Sequence, residues 1–129
     1  MDCPYCRRIL AGEGTEANAH AVAFGDAYPV AAGHTLVVPR RHVAGVFDLA
    51  AGEYAALWAL VAAVRARLAA EDAVESFTIG VNDGAAAGQT VAHAHVHVIP
   101  RRAGDVGDPR GGVRWVLPER AAYWERRDG

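Results

Sequence analysis

The segment His93-Ala94-His95-Val96-His97-Val98-Ile99 constrains the fold more than any other stretch of the chain. In a strand, successive side chains point to opposite faces. The three imidazoles would therefore share one face, consecutive rings about 6.5–7 Å apart, with Ala94, Val96 and Val98 on the other. We read a strand over 91–99, stopped by Pro100. A solvent-facing strand can also carry polar residues at alternate positions. Three of the chain's six histidines on alternate positions, with small apolar residues between them, mark a functional row instead.

Other segments fill in the sheet. Residues 21–24 and 35–38 are short apolar strands, joined through Tyr28-Pro29 and Gly33, and 76–81 is another. After Asp48 the period changes: Tyr54, Leu57, Val61, Val64 and Leu68 recur every three or four residues, which predicts one long helix over about 53–70 capped by Asp48. A shorter helix precedes Gly12, over 7–11. Strands, a helix, then strands again indicate an α+β fold with an antiparallel sheet of about five strands, one long helix and a short N-terminal helix. At 129 residues and 52% hydrophobic content, a single domain over 1–129 can build a full core without disulfides. The glycine-rich stretch from Arg101 to Gly112 reads as a mobile loop before a segment containing Trp115, Glu119 and Trp124, suited to substrate contact or a subunit interface.

Charge excludes several classes of function. The formal net charge is −2, and all 13 basic residues are arginines scattered along the chain, so no basic face for nucleic acid or a membrane surface is expected. The longest apolar run, 55–64, is half of the ~20 residues that a membrane span needs. No apolar stretch follows a basic start, so a cytoplasmic location is expected.

The histidine row supports two chemistries. Neutral imidazole is a common metal ligand, and it is also a nucleophile when one ring nitrogen donates its hydrogen to a carbonyl and the other attacks. Phosphorus is the natural electrophile for the second. Just upstream, Asn82, Gly84 and Gly88-Gln89-Thr90 offer amide, hydroxyl and backbone N–H donors to a phosphate, with no lysine in the chain to do so. Cys3-Pro4-Tyr5-Cys6 also has two readings. It equals the glutaredoxin active-site tetrapeptide, which follows a strand that this sequence has no residues to form, or it is half of a zinc site that needs two more ligands from elsewhere.

His93-x-His95-x-His97 followed by two apolar residues resembles the signature of the histidine triad superfamily, hydrolases and transferases acting at the α-phosphate of nucleotides. Residues 82–91 and 100–105 resemble its fragile-histidine-triad-like branch, and Pro29 through Gly33-His34 to Pro39-Arg40-Arg41-His42 is similar to the family as well. The resemblance implies that His95 is the nucleophile, that His97 contacts the phosphate and that His34 supports the triad from behind. Asp26 would bind the ribose hydroxyls and Phe24 would lie near the base. Asn82, Gly88, Gln89 and Thr90 would hold phosphate oxygens, with Arg101 near enough to meet a polyphosphate. Asn82 stands where the dinucleoside polyphosphate branch carries Gln and is similar to the phosphoramidase branch. Cys3, Cys6, His42 and His93 match a structural zinc site, and a homodimer is implied. The activity so implied is hydrolysis of dinucleoside polyphosphates or nucleoside phosphoramidates through a nucleotidyl-histidine. The alternatives are phosphorylase-type transfer at the same site, or a zinc-stabilised nucleotide-binding module with little turnover.

Overall fold

The computed structural model describes residues 2–125. One antiparallel sheet holds β1 (Glu16–Ala17), β2 (Ala21–Gly25), β3 (Thr35–Pro39), β4 (Ser76–Gly80) and β5 (Val96–Arg101), in the spatial order β1-β2-β3-β5-β4. Two helices cover its opposite faces: α1 (Pro4–Leu10) and α2 (Ala51–Ala69). Strand alternation decides what each helix meets. Ala21, Ala23, Val37, Val96 and Val98 pack under α2, while Val22, Phe24, Leu36 and Val38 pack under Tyr5 and Ile9 of α1. Cover on both faces is why β2 and β3 read as unbroken apolar runs.

The long helix buries Leu57, Leu60, Val61, Val64 and Leu68 against the sheet. Burial of each leucine is worth about 1.5–3 kcal/mol. Tyr54, expected on that stripe, is instead 37% exposed at its margin, between the rings of Phe47 and Trp58. The expected cap is also corrected. Asp48 accepts the Gly45 N–H at 3.2 Å, one short turn earlier, and α2 begins where Glu53 accepts the Ala50 N–H at 2.9 Å. Arg41 forks onto the same carboxylate at 2.9 and 3.0 Å, and this hydrogen-bonded ion pair pulls the Glu53 pKa down to about 2.

The strand expected over 91–99 is paired only from Val96, and it runs on through Pro100 to Arg101. His93, Ala94 and His95 precede the paired strand, pinned by the Ala94 N–H to the Val43 carbonyl at 2.7 Å. Proline is tolerated because the β3 ladder ends at the Thr35–Val98 pair, so β5 is already free on that side at Pro100. Residues 102–111, in the stretch expected as a loop, run in turns and bends, and the segment containing Trp115 that follows carries the short helix α3 (Pro118–Ala121). Arg114 donates to the Ala121 and Arg120 carbonyls at 2.9 and 2.8 Å there. Among the described residues, no helix is long and apolar enough to cross a membrane.

Candidate active site and metal centre

Hydrogen bonds fix the tautomer of each histidine in the row. His95 donates Nδ1–H to the carbonyl of His93 at 2.8 Å, which leaves a bare lone pair on Nε2. His97 lies one pleat further on, its ring 5.1 Å from that of His95. Behind it, the Val30 N–H donates to His34 Nδ1 at 3.1 Å, so His34 carries its hydrogen on Nε2. That hydrogen is donated to His97 Nδ1 at 2.9 Å, and His97 must then carry its own on Nε2. The outcome is a lone pair on His95 beside an N–H donor on His97.

Three elements converge to build this arrangement. Gly33, at φ +91°, turns the chain tightly into β3; an added Cβ would meet Leu68 and Pro100 at 3.1 and 3.2 Å. The turn delivers His34 at the start of β3, while β3–β5 pairing sets His97 opposite Leu36. Burial pushes both His34 and His97 below the ordinary histidine pKa. The neighbouring His95 and His34 lower His97 further, and the Asp26 carboxylate partly opposes the shift at both positions. Asp26 Oδ2 lies 3.4 Å from His34 Nε2 and 3.9 Å from His97 Nδ1, and Oδ1 accepts the Tyr28 N–H at 2.8 Å. Neutral imidazoles are what the relay needs.

A cavity of about 400 Å³ opens over this row, lined by Tyr5, Arg8, Asp26, Asn82, Thr90 and Gly88 together with His34, His95 and His97. The side chains of Asn82 and Thr90 make no hydrogen bonds among the described residues. Gln89, expected to hold phosphate, is turned away and fully engaged. Its Oε1 accepts the Gly84 N–H at 2.9 Å, and its Nε2 donates to the Ala44 and Val91 carbonyls at 2.7 and 3.0 Å. The Gly88 N–H is likewise spent on the Ala85 carbonyl at 3.0 Å. Gln89 therefore braces the loop that carries Thr90.

Phe24 does not reach the cavity either. It is 2% exposed and lies beneath Tyr5, at 5.8 Å between rings, and beneath the Arg8 guanidinium at 4.0 Å. Arg101 is drawn off to another surface, forked onto Asp105 at 2.7 and 2.9 Å and bonded to Thr78, beside Trp115 and away from the histidines. Tyr5 and Arg8 also stand in the cavity wall, where neither was expected. Tyr5 stands edge-on to His95 at 5.2 Å, and burial beside the Asp26 carboxylate pushes its phenol up to about 12, so it stays protonated. Arg8 follows it by one helical turn. Their signal was the spacing from two cysteines that both had to reach the histidine row.

Cys3, Cys6, His42 and His93 bring their ligand atoms together within 4.8 Å and are positioned to bind a metal. The chemistry of the set fits. His93 Nε2 donates to the Pro39 carbonyl at 2.8 Å, leaving Nδ1 bare. That lone pair faces His42 Nδ1 at 3.1 Å, Cys3 Sγ at 3.3 Å and Cys6 Sγ at 3.5 Å. Two sulfur and two imidazole nitrogen atoms meeting this closely form a donor set that suits a soft or borderline cation, Cys3 Sγ also accepting the Cys6 N–H at 3.4 Å. Their separations are close to the edges of a tetrahedron with ordinary Zn–N and Zn–S bonds, about 3.3–3.8 Å. The two cysteines are free thiols.

A five-stranded sheet presenting a bare histidine nitrogen beside a histidine relay defines the class of protein. The HIT domain model matches residues 15–104, and the chain belongs to that family. It is 47% identical over 89 residues to the nitrilase and fragile histidine triad fusion protein NitFhit of Caenorhabditis elegans, covering 69% of this chain and 20% of that protein. It is 42% identical over 77 residues to a bifunctional bis(5'-adenosyl)-triphosphatase/adenylylsulfatase of Arabidopsis thaliana, covering 60% of this chain and 43% of that one. The chain thus spans less than half the length of either relative. Among solved structures, a Zn-bound histidine triad family protein from Mycobacterium smegmatis superposes with a TM-score of 0.72 at 32% identity, over 81% of this chain and 78% of that one.

Proposed function

We propose that the chain is a nucleotide hydrolase that cleaves at the α-phosphate through a nucleotidyl-His95 intermediate. The observation that carries this reading is the bare Nε2 of His95 in the wall of a cavity whose next histidine is held as a donor. In the first step Nε2 forms a P–N bond with the α-phosphorus. The bond from phosphorus to the leaving oxygen or nitrogen breaks, its electron pair departs with that atom, and an amine leaving group takes a proton from solvent. The His93 carbonyl, already accepting Nδ1–H, steadies the positive charge that develops on the ring. His97 Nε2–H, the Thr90 hydroxyl and the Asn82 amide donate to the phosphoryl oxygens, and Asp26 accepts from the ribose hydroxyls. Water then adds to phosphorus, the P–N pair returns to Nε2, and a proton passes to solvent as the nucleoside monophosphate leaves. Support comes also from the plant relative named for two hydrolyses of this kind.

Zinc is the metal we assign to Cys3, Cys6, His42 and His93, supported by the donor set and by the Zn-bound relative. Four protein ligands leave no open position, so the ion would tie the N-terminal segment to the residue whose carbonyl holds His95. The function is tested with dinucleoside polyphosphates, nucleoside phosphoramidates and adenylyl sulfate, scored for nucleoside mono- and diphosphate with and without added inorganic phosphate. Monophosphate is expected from at least one class in water alone. Its absence from all of them would overturn the assignment, and nucleoside diphosphate formed only with added phosphate, in place of monophosphate, would make the enzyme a transferase.

A further inference from the structure

We infer that Arg8 reads the base of the nucleotide and sets a preference for guanine over adenine. The inference rests on the proposed nucleotide site and adds to it the identity of the base. If the α-phosphate sits at His95 and His97 and the ribose at Asp26, the base lies beyond Asp26. Arg8 stands there. Its Nη1 donates to the carbonyl of Gly25, the residue before Asp26, at 2.7 Å, and its side chain lines the same cavity.

The guanidinium is held rather than free. Its face packs on the Phe24 ring at 4.0 Å, and its Nε donates to Glu13 Oε1 at 2.8 Å, with the side chain 24% exposed. These contacts fix the plane of the fork in advance, as recognition of a planar edge requires. A guanidinium carries five N–H donors. Gly25 and Glu13 take two of them, so one on Nη1 and both on Nη2 remain. The Glu13 carboxylate also offsets the positive charge, which makes Arg8 a poor trap for a second phosphate and leaves it suited to uncharged acceptors.

Among the bases, guanine presents two adjacent acceptors, O6 and N7, which a guanidinium can meet bidentately. Adenine shows an acceptor at N7 but a donor at N6, and a donor facing the Arg8 fork loses one bond and leaves a polar group opposed. Discrimination of this kind amounts to about tenfold or more. Nothing else in the cavity wall offers a comparable planar fork: Pro4, Tyr5, Val30 and Leu36 are apolar or aromatic neighbours of that region.

The test is equilibrium binding, which reads the base whether or not turnover is seen. GMP, IMP, 7-deaza-GMP and AMP are titrated by calorimetry into the metal-loaded protein and into R8A. We expect GMP and IMP to bind alike, AMP about tenfold or more weaker, 7-deaza-GMP in between, and the differences to collapse in R8A. Equal affinity for GMP and AMP in the unaltered protein overturns the inference and leaves the nucleotide site standing. A GMP preference that survives in folded R8A overturns it too. Failure of every nucleotide to bind removes the proposed function and this inference together. Should R8A fail to fold, the IMP and 7-deaza-GMP comparison still decides, since loss of N7 must weaken binding and loss of the 2-amino group must not.

Discussion

His34 touches no substrate in this account, yet its replacement should be felt both in stability and in rate. In H34A the Val30 N–H and His97 Nδ1 both lose their partners, at 3.1 and 2.9 Å. His34 is 4% exposed, so water replaces it poorly. One unsatisfied buried group costs about 1–3 kcal/mol, and truncation of a buried side chain adds to that, giving about 2–4 kcal/mol in all. At this chain length the melting temperature should fall by about 3–5 °C per kcal/mol. The relay bond itself is worth about 1–1.5 kcal/mol, so kcat/KM for monophosphate release should drop about 5–15-fold through a loosened His97. H34Q separates the two effects. A glutamine carries an acceptor and a donor, so it can take the Val30 N–H and donate to His97, and it should recover kcat/KM to within about threefold. Both variants are compared by thermal unfolding and by steady-state kinetics on one substrate. If folded H34A keeps full kcat/KM, or if H34Q is as impaired as H34A, the relay does not position His97 and the reasoning fails.

The other consequences are more direct. Protein purified without chelator should hold about one equivalent of zinc by elemental analysis. C6S should lose it and melt at lower temperature, whereas unaltered melting after complete zinc removal would contradict the tether. Stability should fall as pH drops below 6.5, the ordinary histidine value. Buried His34 and His97 bind fewer protons folded than unfolded, so their contribution is complete above that value and is lost below it. Denaturant titrations across pH 5–8 read the slope, and stability rising on acidification would contradict it. L57A, which empties the space of a fully buried side chain between α2 and the sheet, should cost about 2–5 kcal/mol in denaturant unfolding with little change in nucleotide affinity.

Much of this molecule was legible in the residues, for reasons that differ from place to place. Short unbroken apolar runs bounded by turn residues identified β2 and β3, because both faces of the sheet are covered there, and period-two alternation identified the histidine row. The three-to-four spacing of Leu57, Val61, Val64 and Leu68 identified α2. Where a short-range rule met a tertiary competitor, the rule lost. Asp48 looked like the cap of α2 but closes the turn before it, since Glu53 reaches back to Ala50 and is held there by Arg41. Gln89 looked like a phosphate donor, and nothing local announced that the Ala44 and Val91 carbonyls would claim its amide. Arg8 belongs to no motif and had no expected role. Only the packing of α1 over Phe24 brings it to the cavity.

The measurement that bears most directly on the account is capture of the covalent intermediate. The protein is mixed with a hydrolysed substrate, quenched within a turnover under conditions that preserve P–N bonds, and examined by peptide mass spectrometry. A nucleoside monophosphate, less one water, is expected on the imidazole of His95, with no adduct and no turnover in H95N that still folds and binds zinc. Full turnover in H95N, or an adduct on any other residue, would contradict that expectation.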